Sequence, residues 1–306
     1  MSYEKRIALN AQGLTLSRLV LGAWRLLNGP EKPDADSVAR LIGAAIDLGM
    51  TSFDHADIYG NYGVEEAFGA GLKRLGGKRE AIELVTKCDI MLTSDARPDN
   101  RIKHYDTSAA HIKASVDRSL KNLQTDYIDL LLIHRPDPLM YADGTAAALE
   151  SVVKAGMVRA VGVSNFSPSQ FDLLASRLPF PLVTNQIEMS VLNTTALSDG
   201  SLDHAQRLRY APMIWSPLGG GSLFTGDSEQ ERRVREALKS VAEEVGGGDI
   251  SAVAIAWLLR HPVRLIPVLG SLKVERLAAM AAALDIELER QQWFAILKAS
   301  TGHDVA

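Results

Sequence analysis

The sequence predicts an α/β fold, a (β/α)8 TIM barrel with an N-terminal β-hairpin closing the barrel floor, and three observations carry the prediction. Short apolar, β-branched runs alternate with segments whose apolar residues recur at helical spacing. Eight such units fit within 306 residues, the count of a closed barrel, whereas an open doubly wound sheet more often has fewer strands. The unusual polar residues fall at the carboxyl ends of those runs, where a barrel builds its site.

The elements follow in order. Residues 1–17 alternate apolar and polar positions around Gln12-Gly13, which predicts the floor hairpin. Barrel strands are expected at 18–22, 51–53, 82–86, 127–133, 160–163, 182–184, 213–215 and 265–267, each followed by a helix. Two connections exceed the usual few residues and are expected at the mouth. The first, 89–107, carries Asp95, Pro98, Asp99 and Asn100 and reads as polar and irregular. The second, 218–228, opens on Gly219-Gly220-Gly221; such a run lets backbone approach a ligand closely, or serves as a flexible link. No repeat or linker divides the chain, so 1–306 reads as one domain.

Composition narrows the function classes. Hydrophobic residues make up 46% and charged residues 23%, ordinary for a protein with one sizeable core. A net charge of −4, with no window of Lys and Arg interleaved with aromatics, argues against nucleic acid. The amino terminus is polar, and no stretch reaches the ~18 apolar residues of a membrane span; the expectation is a cytoplasmic protein with no membrane partner. Cys88 is the sole cysteine, which rules out an intrachain disulfide or a cysteine-based metal cluster and fits a reducing compartment. A monomer or weak homo-oligomer acting on a small molecule is expected.

Asp54 follows its strand, Lys87 ends AIELVTK, His134 ends YIDLLLIH, Ser164-Asn165 end VRAVGVSN, and Gln186 closes LVTNQ. Each has an ordinary structural reading: Asp54 as a helix cap, Lys87 as a solvated strand end, His134 as a hydrogen-bonded core residue. In a barrel all lie around one mouth, so chain-distant residues become neighbours. Tyr59, in FDHADIYGNYG, can fold back over that mouth. A tyrosine with a pKa near ~10 needs a nearby cation to act as an acid around neutrality. Lys87 supplies it, Asp54 holds the ammonium, and His134 either orients a carbonyl or relays the proton. His55 and Cys88 follow inward residues, so strand alternation turns both away. Neither is assigned a role, and no ligand spacing supports a metal.

FDHADIYG, LVTK, LLLIHRPD and GVSNF, in that order, resemble the aldo-keto reductase family. Together with LLLIHRPDPLM, RLPF, TNQIEMS, GGGSLF, GSLKVERL and RQQWF they are similar to its bacterial YdhF-type oxidoreductases, over nearly the whole chain. The resemblance implies a catalytic tetrad of Asp54, Tyr59, Lys87 and His134. It implies that Ser164, Asn165 and Gln186 grip a nicotinamide carboxamide, that Trp215 stacks beneath the ring, and that Ser216, Leu218 and Gly220 follow the pyrophosphate. Gly22 and Trp24 match residues of the pocket floor; Trp24 reads equally as core. Ser271, Lys273 and Arg276 surround a helix start, which favours anions and predicts an adenosine 2′-phosphate site selecting NADPH/NADP over NADH; a solvated helix face is the alternative. Gly270 stands where many relatives have Lys. Gly69 and Gly71 lie in a helical stretch and form no rival dinucleotide signal. Pocket walls are expected from Trp24, 89–107, 218–228 and the tail beyond Trp293. The implied reaction is hydride transfer from NADPH to an aldehyde or ketone, with a cofactor-sensing regulatory subunit or a Schiff-base lyase using Lys87 as the alternatives.

Overall fold

A computed structural model describes residues 3–9, 13–76 and 79–306. It begins with an antiparallel pair, β1 (Arg6–Ala8) and β2 (Thr15–Ser17), the predicted hairpin; Gln12 of its turn lies outside the described residues. The barrel strands are β3 (Val20–Gly22), β4 (Ser52–Asp54), β5 (Glu83–Cys88), then β8 (Ile128–Ile133), β9 (Val158–Ser164), β10 (Asn185–Glu188), β11 (Met213–Trp215) and β12 (Ile266–Leu269). They close in chain order, with β12 beside β3, and all their pairings are parallel. Between β5 and β8 lies a second small antiparallel pair, β6 (Ile90–Met91) with β7 (His104–Tyr105).

Helices fill the crossovers: α1 (Ala35–Asp47), then, after a turn of left-handed backbone labelled α2 (Tyr59–Tyr62), α3 (Val64–Arg74), α4 (Ala109–Leu123), α5 (Ala142–Lys154), α6 (Pro168–Ala175) and α7 (Ser201–Leu208). After β11 come α8 (Ser222–Thr225), α9 (Glu229–Glu244) and α10 (Ile250–Leu259), and after β12 come α11 (Val274–Ala281) and α12 (Arg290–Thr301). Their starts are written in sequence. Ser167 with Gln170, and Ser228 with Glu231, make reciprocal capping boxes, satisfying first-turn N–H groups that have no helical partner. Gly69 and Gly71 serve packing: a Cβ on either would strike α4 backbone or Val38 of α1.

Two apolar shells result. Val20, Val85, Leu130, Leu132, Met213 and Ile266 fill the barrel, capped below by Ile7 and Leu16 of the hairpin. Phe53, Leu84, Cys88 and Leu131 point outward to the helices, the period-two alternation of a pleated strand. Trp257 and Trp293 stack at 4.9 Å and 7°; each indole N–H donates to the other's carbonyl at 3.0 Å, pinning α12 to α10.

Two expectations are corrected. The sixth strand is not at 182–184 but at Asn185–Glu188. Val183 and Thr184 do bond back to the preceding strand. Toward β11, however, the Thr184 hydroxyl substitutes for backbone, accepting from Met213 N–H at 3.3 Å and donating to Ala211 O at 2.8 Å. The 89–107 connection is more regular than expected, holding β6, β7 and a bridge between Ser94 and Arg97. The 218–228 connection, left open between a ligand-facing run and a flexible link, holds Gly219, Gly220 and Gly221 at φ of 59°, 66° and 109° before running into α8.

Candidate active site

β4 and β5 are adjacent, with Asp54 in register with Val85. After β4 the chain keeps bonding to β5, through His55 N–H to Val85 O and Asp57 N–H to Lys87 O. It then turns at Tyr59, which brings the phenol back over the strand ends. Lys87 points inward. Its Nζ donates to Asp54 Oδ1 at 2.8 Å, Asp54 Oδ2 at 2.7 Å, the His55 carbonyl at 2.8 Å and Tyr59 Oη at 3.1 Å. The two charged side chains are 0% and 4% exposed, and a buried pair of this kind is weak as a stabiliser once desolvation is counted. His55, expected to play no part, contributes its backbone oxygen; its ring turns outward against the Phe68 edge at 4.3 Å, as alternation predicts.

Burial works against the Lys87 charge, but Asp54 and the Tyr59 oxygen outweigh it and hold the ammonium above its ordinary pKa. Burial also raises the Tyr59 phenol. Lys87 pulls the other way, as the sequence suggests, yet the net direction is upward, with Asp54 adding to the rise. The phenol therefore carries its proton at neutral pH. Burial first, then the Lys87, Arg135 and Lys103 charges, hold His134 well below the usual histidine value. A neutral imidazole suits a hydrogen bond to a carbonyl better than proton relay. The Tyr59 and His134 rings meet edge to face at 6.1 Å.

A second group of polar residues joins the first. Gln186 Nε2 donates to Asp54 Oδ1 at 2.8 Å, and Ser164 Oγ donates to Gln186 O at 2.9 Å. Asn165 Nδ2 donates to Ser164 Oγ at 2.8 Å and to His134 O at 3.3 Å, while its Oδ1 accepts from Trp215 Nε1 at 2.9 Å. Asn165 and Ser216 hold φ of 61° and 50°, a left-handed backbone that non-glycine residues adopt only when surroundings enforce it.

These residues open on one cleft of about 1160 Å³, at the upper limit of ordinary small-molecule sites. Every residue that the sequence assigned to a cofactor lines it, as do Asp54, Tyr59 and His134; Lys87 sits behind them. Gly22 lines the cleft and packs tightly on β12, where a Cβ would come within 3.0 Å of Val268 and 3.3 Å of Leu269 O. Lys273 is the N-cap of α11, with Arg276 one turn in. Of the four expected walls, Trp24 and 218–225 line the cleft; 89–107 and the tail beyond Trp293 do not.

Sequence reasoning passed over Arg25, Asn28, Arg135 and Phe224, which also line the cleft. Arg25 spans it, donating to Gly220 O at 2.8 Å and Gly270 O at 3.2 Å. A side chain at position 270 would collide with that guanidinium, so Arg25 places a cation where the backbone of Gly270 offers none. Arg135, next to His134, lies 5.8 Å from the Trp215 ring centroid. Its place immediately after the strand-end histidine was the available signal.

Comparison with known proteins gives a consistent picture. The model of the aldo/keto reductase family matches residues 18–300. The oxidoreductase YdhF of Escherichia coli is 49% identical over 301 residues, covering 98% of this chain and 99% of that one. A 6-dehydroglucose reductase of Agrobacterium fabrum is 48% identical over 302 residues, covering 99% and 100%. Among solved structures, the thermostable aldo-keto reductase Tm1743 in complex with the inhibitor epalrestat superposes with a TM-score of 0.82 at 26% identity, covering 96% and 99%.

Proposed function

The chain belongs to the aldo/keto reductase family, and from that premise we propose that it reduces an aldehyde or ketone with NADPH, Tyr59 giving the proton. The observation that carries this reading is the buried Lys87 ammonium, 3.1 Å from a phenol that opens on the cleft.

The cleft suits a nicotinamide dinucleotide. Its length is lined by backbone at Ser216–Gly221 and closed by the α11 start with Lys273 and Arg276, where convergent N–H groups and cations favour a 2′-phosphate. Arg25 adds a cation beside Gly270. Ser164, Asn165, Gln186 and Trp215, which line the cleft beside Asp54 and Tyr59, would hold the nicotinamide end of the dinucleotide. When bound, NADPH supplies the hydride. The protein's part is positioning and charge. His134, neutral, donates a hydrogen bond to the carbonyl oxygen, and Tyr59 transfers its proton to the oxygen as negative charge grows there. Lys87, fixed by Asp54, stabilises the phenolate left behind. The name of the Agrobacterium relative, with Asn28 and Arg135 at the rim, favours an aldehyde bearing hydroxyl groups. No helix among the described residues is long and apolar enough to cross a membrane.

The test is NADPH oxidation across a panel of aldehydes, ketones and aldoses, with NADH in parallel. Turnover is expected with NADPH and one class of carbonyl. Tyr59→Phe is expected to lose nearly all turnover while binding NADPH like the parent. Parental rates in that variant reject the donor assignment; cofactor binding without turnover on any carbonyl favours a sensor.

A further inference from the structure

The turn that carries Tyr59 is strained. Gly60, Asn61 and Tyr62 have φ of 55°, 55° and 69°, three successive left-handed residues; glycine adopts that region freely and asparagine tolerates it, so the strain falls on Tyr62. Such a conformation persists where neighbours over-determine it. On one side the turn is pressed against Leu27 and Val64: a Cβ added to Gly60 would lie 2.9 Å from Leu27 Cδ1 and 2.8 Å from Val64 Cγ2. On the other stands the connection after β5. Leu92 N–H donates to Tyr62 Oη at 2.9 Å, Ser94 Oγ donates to Asn61 Oδ1 at 2.5 Å, and the Arg97 guanidinium lies 4.4 Å over the Tyr62 ring. The connection is itself held by the β6–β7 pair, the Ser94–Arg97 bridge and a bond from Asn100 Nδ2 to Leu92 O at 2.9 Å. Neither Tyr62 nor this connection lines the cleft, so these contacts do not serve a bound molecule directly.

We propose that Tyr62 is a positioning residue for Tyr59: the 92–100 segment grips the Asn61–Tyr62 pair and thereby sets the reach from Tyr59 Oη to Lys87 Nζ. The proposal rests on the reading of Tyr59 as proton donor. A displacement of roughly 1 Å at a reacting group costs on the order of a hundredfold in rate. Losing one of several grips frees only part of that.

Tyr62→Phe removes only the Oη that accepts from Leu92, and Ser94→Ala only the bond to Asn61. Each is expected to lower kcat about fivefold to tenfold, measured on the most active carbonyl of the panel. KM and NADPH affinity stay at parental values. The solvent deuterium isotope effect on kcat rises, because proton transfer from a misplaced phenol becomes the slow step. A purely structural part for Tyr62 lowers Tm while leaving kcat per folded molecule and the isotope effect unchanged, and that result overturns the proposal. Should Tyr62→Phe fail to fold, Ser94→Ala decides on the same readouts. Tyr59→Phe in the same series separates the two readings. Parental turnover there sinks the donor assignment itself, whereas an inactive Tyr59→Phe beside a fully active Tyr62→Phe sinks only the grip.

Discussion

Replacing Lys87 with methionine tests the centre of the site. Methionine approximates the volume and removes the charge. In the parent, Asp54 accepts two bonds from Lys87 and one from Gln186 Nε2; in the variant a buried carboxylate keeps a single neutral donor. Breaking a buried pair from one side costs about 3–5 kcal/mol of stability. For catalysis, a unit charge 3.1 Å from a developing phenolate is worth about 5 kcal/mol at an effective dielectric of ~20. Asp54 cancels part of this, leaving a few kcal/mol and a fall in kcat on the order of a hundred- to ten-thousandfold. Adding Asp54→Asn removes the orphaned charge. Urea unfolding is then expected to show most of the stability restored, while NADPH oxidation stays as slow as in Lys87→Met. The reasoning fails if Lys87→Met turns over at the parental rate, or if the double variant is no more stable than the single one.

Two further predictions concern charge elsewhere. Gly270→Lys is expected to displace Arg25 from Gly270 O and weaken NADPH binding, whereas Gly270→Lys with Arg25→Ala recovers affinity; fluorescence titration of the four proteins checks it, and independent effects of the two changes refute it. Behind β5, burial raises Asp57 from 3.8 to about 7, opposed by a hydrogen bond from Ser115 and aided by Glu65. The folded state keeps a proton that the unfolded chain releases, so stability is lost progressively as pH rises from about 4 to about 7. Asp57→Asn is expected to raise Tm by several degrees at pH 8 and by much less at pH 4.5; an equal shift at both pH values, in differential scanning fluorimetry, refutes this.

The barrel was legible because most of its strands lie in apolar runs, and a parallel strand buried on both faces must be so composed. The sixth, Asn185–Glu188, is polar where it enters the site, so the reading slid back onto the apolar residues before it. The meeting of Asp54, Tyr59, Lys87 and His134 was legible for a related reason: these residues close their strands or follow them, and barrel closure alone makes such ends neighbours. Arg25 was not, because its partners are carbonyls 195 and 245 residues away, and a backbone acceptor leaves no mark on residue type. The 89–107 connection was misjudged as a pocket wall since length and polarity announce a mouth loop without saying whether it faces a guest or a neighbouring turn.

The hairpin beneath the barrel has a consequence for traffic. Ile7 and Leu16, both at 0% exposure, seal the lower end beneath side chains that already fill the barrel, so the cleft is entered from the opposite end. Any guest must pass that rim. An opening cut at Ile7 or Leu16 would bring water toward the buried pair from beneath, easing the burial that opposes the Lys87 charge while screening its attraction to Asp54 and the Tyr59 oxygen, without altering a single residue at the rim.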